Sequence, residues 1–308
     1  KLIGVNNLSL TTNVPFFLIY VIHFITSITL YFFIKKLIAS LKINQTINIP
    51  FWGATLFLLQ QPAIECFANV ANGIRVIGSL FIVLFYINQL NQLKQAATKR
   101  VLYSMILCLL AISFYEVNIF YISIGFFFPL LMGQHNKNKI KPFLKRWKRY
   151  YLGYCISIMP AVIISLFTYN HVLSKKIATI ERAPEFQDII KRFIYYVAQN
   201  ILPNLHGAIF IGSLLYSLCG LTLIFLLIKH LKTMDKPVKL ILIFLCITCI
   251  SFLASISLLT HYAPRLLHGY TILLALITAF TLNEIPWKNT RFMSKKILLY
   301  LISVCSII

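Results

Sequence analysis

Long apolar runs separated by short, Lys-rich segments make up nearly the whole chain. The runs fall at 14–34, 49–60, 76–90, 101–114, 117–133, 150–169, 207–228, 240–260 and 266–283, with a further start at 297. A helix that crosses a bilayer needs about 20 apolar residues, fewer where it tilts or packs on protein. The pattern predicts about ten helical membrane segments. The runs at 101–114 and 117–133 are short and are predicted to form a hairpin that turns at Tyr115-Glu116. The longest polar interval, 170–206, contains Glu185 to Val197, where apolar residues at 186, 189, 190, 193, 194 and 197 follow helical spacing. This stretch is expected to lie in the membrane interface, or to cover the bundle as a solvated helix.

Composition agrees with this pattern. Apolar residues are 59% of the 308 positions and charged residues 12%, with a mean hydropathy of +0.82. A soluble domain carries about 25% charged residues. So few charges cannot clothe a soluble surface, which excludes a simple cytosolic enzyme and a disordered tail. The predicted fold class is therefore all-α, a multi-pass transmembrane helical bundle formed by a single domain over 1–308.

The formal charge of +22 would suggest nucleic acid in a soluble protein. In a membrane chain it is an orientation signal. The alternating segments 35–48, 91–100, 134–149, 229–239 and 284–296 carry 21 of the 29 Lys and Arg, and the opposite side carries 8. The first set is assigned to the cytoplasm, and no nucleic-acid partner is expected. Five of the seven acids (Glu65, Glu116, Glu181, Glu185 and Asp188) fall on the other side. The expected location is an integral membrane one, with membrane lipids as partners. Cys246 and Cys249 form a CxxC inside an apolar run without nearby His or acid, and helix packing accounts for them.

Candidate chemistry gathers at the outer helix ends. Glu65 and Arg75 both lie in the stretch Gln61 to Arg75. They form either a structural pair or a site in which the planar guanidinium binds a phosphate headgroup. Glu116 is either the hydrated tip of its hairpin or a carboxylate working with Glu65. His206 is either a bystander or a proton carrier. His261-Tyr262-Ala263-Pro264-Arg265 precedes the run at 266–283. Pro264 suits a first helical turn, and Arg265 beside a helix N-terminus suits an anion. Tyr262 and Tyr270 also suit an aromatic belt. There is no nucleotide-binding loop and no metal motif in the sequence, so no cofactor is evident in it, and ligands for a divalent metal could come only from a loop upstream.

Read together, Gln61-Pro62-Ala63-Ile64-Glu65, Gly73-Ile74-Arg75, the Tyr115-Glu116 hairpin and Tyr262-Ala263-Pro264-Arg265 resemble motifs of polytopic GT-C glycosyltransferases. The likeness is to protein O-mannosyltransferases and bacterial relatives that use polyprenyl-phosphate sugars. Gln61 stands where the family has His, and Ile74 separates Gly73 from Arg75. The resemblance implies a GT-C-like bundle in a bacterial inner membrane. It implies transfer of a sugar from a polyprenyl-phosphate lipid to an acceptor glycan, lipid or protein on the extracytoplasmic face. Arg75 and Arg265, with His261, are then expected to bind the phosphate, and Glu65 and Glu116 are candidate carboxylates of the site. The family's catalytic aspartate belongs to a first outer loop that is expected upstream of Lys1, on a part of the protein absent from this chain. Two alternatives are a transporter or flippase for a lipid-linked or anionic solute, and a non-catalytic relative of the transferases.

Overall fold

The computed structural model describes residues 16–59, 70–95, 97–114, 118–129, 140–177, 190–191, 228, 234, 236–257 and 268–284. Among these residues the structure is helical, without strands. The helices are α1 (Phe16–Leu41), α2 (Ile49–Leu59), α3 (Val70–Lys94), α4 (Thr98–Phe114), α5 (Asn118–Ile122), α6 (Ile140–Ile177), α7 (Lys236–Ser257) and α8 (His268–Glu284). A 3₁₀ segment, Ser123–Phe127, continues α5. Two helical stretches, Leu18–Leu41 and Val76–Lys94, are long and apolar enough to cross a membrane. Ile49–Leu58 and Val238–Thr248 are shorter apolar helices. The predicted runs at 207–228, apart from residue 228, and from 297 onward lie outside the described residues, as does nearly all of the 185–197 stretch.

The helices outrun the apolar runs that predict them. α1 continues through Lys35 and Lys36 to Leu41, and α6 begins ten residues before the run at 150–169 starts to read as apolar and ends at Ile177. Lys and Arg are good helix formers, so a charge ends an apolar stripe without ending a helix.

The chain divides into two compact units, residues 1–29 with 66–185 and residues 30–65 with 186–308. In the first unit α3 packs along α4, and α4 along α6. The alternation is antiparallel. Asn88 of α3 bonds to Ser104 and Arg100 of α4, while Gly78, ten residues earlier, packs against Ala111 and Phe114. α5 runs with α3, since Tyr86 lies at Tyr121 and Gln89 at Gly125. α6 runs the other way, with Tyr154 at Ile122 and Tyr150 at Gly125. These directions match the alternation that the charge pattern predicts for the same four segments.

The segment 118–129 is not the continuous helix that its apolar run suggests. It is a short α-helix followed by a 3₁₀ turn. Pro129 has no N–H to give to the carbonyl four residues back, which is that of Gly125. That carbonyl accepts instead from the Phe128 amide and from the Tyr150 hydroxyl, the latter at 2.6 Å. A Cβ at position 125 would meet the Tyr154 ring at 3.0 Å and the Phe85 ring at 3.3 Å, so glycine lets three helices close here.

In the second unit α2 packs on α8, and α8 on α7. α2 starts with Asn48 as its N-cap: the Phe51 amide donates to Asn48 Oδ1 at 3.2 Å, and Pro50 occupies the first turn. α1 ends in a left-handed cap. Lys42 has φ 52°, and the Ile43 amide donates to the Ile38 carbonyl at 3.2 Å while both side chains are buried. The link that follows is held by Asn283 at the end of α8. Its Oδ1 accepts from the Thr46 amide at 2.7 Å and the Ile47 amide at 3.4 Å, and its Nδ2 donates to the Asn44 carbonyl at 3.0 Å. The C-terminal end of α8 therefore packs on the link between α1 and α2.

Candidate functional site

Of the residues that the sequence singles out, Glu65, Glu116, His261 and Arg265 lie outside the described residues, as does His206. Arg75 sits on the helical backbone of α3, and its side chain is outside the described set. What the structure adds concerns their surroundings in the first unit. Gly78, one helical turn after Arg75, packs against Phe114 and Asn118, the described residues flanking the turn that carries Glu116. The contact is close. A Cβ at 78 would sit 2.5 Å from Asn118 Nδ2 and 3.5 Å from Phe114 Cβ. Asn118 is anchored in turn by donating to the Ala111 carbonyl at 2.7 Å. The α3 turn that follows Arg75 thus packs where α4 ends and α5 begins; residues 115–117 between them lie outside the described residues.

The opposite end of the same unit holds a buried polar cluster. α3 contributes Asn88, Gln89 and Gln92, all buried, and α4 contributes Ser104. Asn88 Nδ2 donates to Ser104 Oγ at 2.7 Å and to the Arg100 carbonyl at 2.8 Å. Gln89 Nε2 donates to the same hydroxyl at 2.9 Å. Among the described residues the Gln92 amide, 1% exposed, finds no hydrogen-bond partner at either end, nor does Gln89 Oε1. Gln92 lies where a side chain at Gly153 would go, with Val101 behind it. Ser157 donates to the Gly153 carbonyl at 2.7 Å and reaches the Val101 carbonyl at 3.2 Å. An apolar helix face broken by three amides is costly unless they are paired. The sequence shows polar residues at 88, 89, 91 and 92, but at the end of an apolar run they read as the start of a loop. Helical continuation to Lys94 is what buries them.

Three tyrosines tie the broken segment to its neighbours. Tyr86 donates to the Tyr121 carbonyl, Tyr154 to the Ile122 carbonyl at 2.9 Å, and Tyr150 to the Gly125 carbonyl at 2.6 Å. Non-helical backbone away from water must find partners within the protein. Here the hydroxyls supply them, so these carbonyls are structural acceptors already in use. The rings of Tyr150 and Tyr154 stack with centroids 6.1 Å apart. The i, i+4 pair is legible in the sequence as two tyrosines on one helix face, though nothing there names their partners.

Arg100 closes the α3–α4 turn. Its guanidinium donates to the Asn91 carbonyl and, at 3.2 Å, to the Gln95 carbonyl. A cation on the last carbonyls of α3 complements the negative end of that helix. Among the described residues Glu284 is the sole carboxylate, and it accepts from Asn283 Nδ2 at 2.9 Å. Among the described residues no three His, Cys, Asp or Glu gather as a metal site would require. What the described interior can do is hold backbone and amide groups in place; the acids and the other cationic candidates belong to the rest of the chain. No known protein family, curated protein or solved structure matches this chain.

Proposed function

We propose that the chain is a multi-spanning membrane protein of about ten segments and a GT-C-type glycosyltransferase. It moves a sugar from a polyprenyl-phosphate lipid to an acceptor on the extracytoplasmic face. In this reading Arg75 and Arg265 bind the lipid phosphate with support from His261, and Glu65 and Glu116 are carboxylates that orient the substrate. A carboxylate accepts the proton of the acceptor hydroxyl as that oxygen attacks the anomeric carbon. The bond from the anomeric carbon to the phosphate oxygen breaks, and the guanidinium groups stabilise the departing phosphate. Because the leaving group stays in lipid, no nucleotide site is called for. The observation that supports the reading most is that the α3 turns carrying Arg75 pack against residues that flank Glu116.

The test is transfer from a polyprenyl-phosphate sugar by the purified full-length protein in liposomes. Arg265→Ala should abolish transfer while membrane insertion is retained. Normal transfer by that variant would remove Arg265 from the site. Glu116→Gln should lower turnover if the carboxylate meets substrate, and would change only the melting midpoint if it is a hairpin tip.

A transporter or flippase is the second reading, and one observation favours it: the segment 118–129 is a broken helix, the kind of element that forms solute sites in transporters. Against it, the Tyr121, Ile122 and Gly125 carbonyls already accept tyrosine hydroxyls. Solute flux in proteoliposomes without any sugar donor would decide for transport.

A further inference from the structure

We infer that one end of the first unit is a binding site for anionic phospholipid, built from exposed cations set directly below exposed apolar stripes. The inference rests on the membrane reading above and is independent of the transferase reading.

Lys94 ends α3, Lys99 opens α4, and Lys148 and Arg149 lie on α6; all four are exposed. They share a level. Gly153 of α6 packs against Val101 of α4, and Arg149 is one turn before Gly153 as Thr98 is nearly one turn before Val101. No acidic residue is found among the described residues of this unit, so these cations have no internal counter-charge there. Arg100 at the same level is already engaged with the carbonyls that end α3, which leaves the other four for an external anion.

Moving along either helix from the cations, the exposed face turns apolar at once. On α4 the exposed apolar residues include Leu102, Ile106 and Leu110, with Tyr103 beside them, and on α6 they include Leu152, Ile156 and Met159 and continue to Phe167. Their spacing of three to four residues keeps each set on one helix face. At 1.5 Å per residue the stripes extend roughly 12 Å on α4 and roughly 22 Å on α6, which suits an acyl chain. A cation cluster against an apolar stripe matches an amphiphile with a phosphate head and a hydrocarbon tail. A soluble anion would use only the cations, and an apolar protein surface only the stripes. The buried amides behind Gly153 stiffen this end, because Asn88 and Gln89 both hold Ser104 of α4.

The experiment places the full chain in nanodiscs of phosphatidylcholine alone or with phosphatidylglycerol added, at low salt. Two readouts are taken: the thermal midpoint, and the phosphatidylglycerol retained through detergent extraction. Wild type should melt higher with phosphatidylglycerol and should retain it. Lys148→Gln/Arg149→Gln should lose the midpoint rise and bind phosphatidylglycerol roughly 25-fold more weakly, about fivefold per cation removed. Lys175→Gln/Lys176→Gln, an equal charge loss at the far end of the same helix, should keep both. An unchanged midpoint of the first variant in phosphatidylcholine shows that its fold is intact. Equal behaviour of wild type in both lipids, or equal losses in the two variants, would overturn the site. Extraction of the wild-type chain from membranes by alkaline carbonate would overturn the membrane reading together with it; retention without lipid preference overturns the site alone.

Discussion

Glycine 153 shows how much one missing methyl group decides. A Cβ there would collide with the Gln92 amide and lie 3.0 Å from Val101. Gln92 is 1% exposed between helices, so it has little free space to move into. Gly153→Ala should cost about 1–3 kcal/mol, the range for overpacking a filled interior. Shortening the opposing side chain should return most of that, so a double-mutant cycle with Gln92→Ala should show strong positive coupling in detergent melting curves. Additive losses would mean that Gln92 does not occupy this space. The sequence shows Gly153 and Gln92 without a hint that they meet, because their separation along the chain hides a contact made across two helices.

Between elements, the question is how a broken helix survives among apolar neighbours. α5 and its 3₁₀ continuation release carbonyls that an unbroken helix would satisfy, and Tyr150 and Tyr154 supply the hydrogens from α6. Interhelical hydrogen bonds in membrane proteins are typically worth about 0.6 kcal/mol, because the unfolded state also finds partners. A carbonyl freed by proline has fewer alternatives within its own segment. Tyr150→Phe, whose Gly125 acceptor is the one freed by proline, should therefore fall toward the upper end, about 1–2 kcal/mol, and Tyr154→Phe nearer to about 0.6 kcal/mol, while ring packing is kept. Paired substitution, Tyr150→Phe with Tyr154→Phe, should loosen 118–129 selectively. Hydrogen exchange should rise at its amides before it rises in α3 or α4. A uniform rise across the first unit would mean that the hydroxyls hold the bundle rather than the break. Proline 129 is visible in the sequence and marks a boundary, but its consequence depends on where α6 places its tyrosines.

For the molecule as a whole, the ties most distant in sequence among the described residues lie in the second unit, where Asn283 holds the α1–α2 link from more than 230 residues away. The side chain is 2% exposed and uses its oxygen and its nitrogen together. Asn283→Ala leaves two backbone amides and a carbonyl short of partners at once, at a cost of about 2–4 kcal/mol if water cannot reach them. The measured outcome should be a lower melting midpoint, with proteolysis appearing first near residues 42–48. Asn283→Asp should preserve the acceptor half only and fall between. A silent Asn283→Ala would show that the link is held elsewhere. The helical class and the alternating directions were legible beforehand, because apolar runs and cation counts are local quantities that need no partner to be read. The candidate site was legible only as a set of residue types, since Glu65, Arg75, Glu116, His261 and Arg265 gain meaning from what faces them. Sequence alone determined that the described part of this chain is helical and that the chain is rich in apolar runs, because burying or dissolving that much hydrocarbon leaves few other folds. Tertiary structure alone decided that Asn88, Gln89 and Gln92 are interior, that 118–129 breaks, and that Asn283 closes a loop. Each of these outcomes is set by a donor, an acceptor or a volume supplied from a remote part of the chain, and no local pattern carries that information.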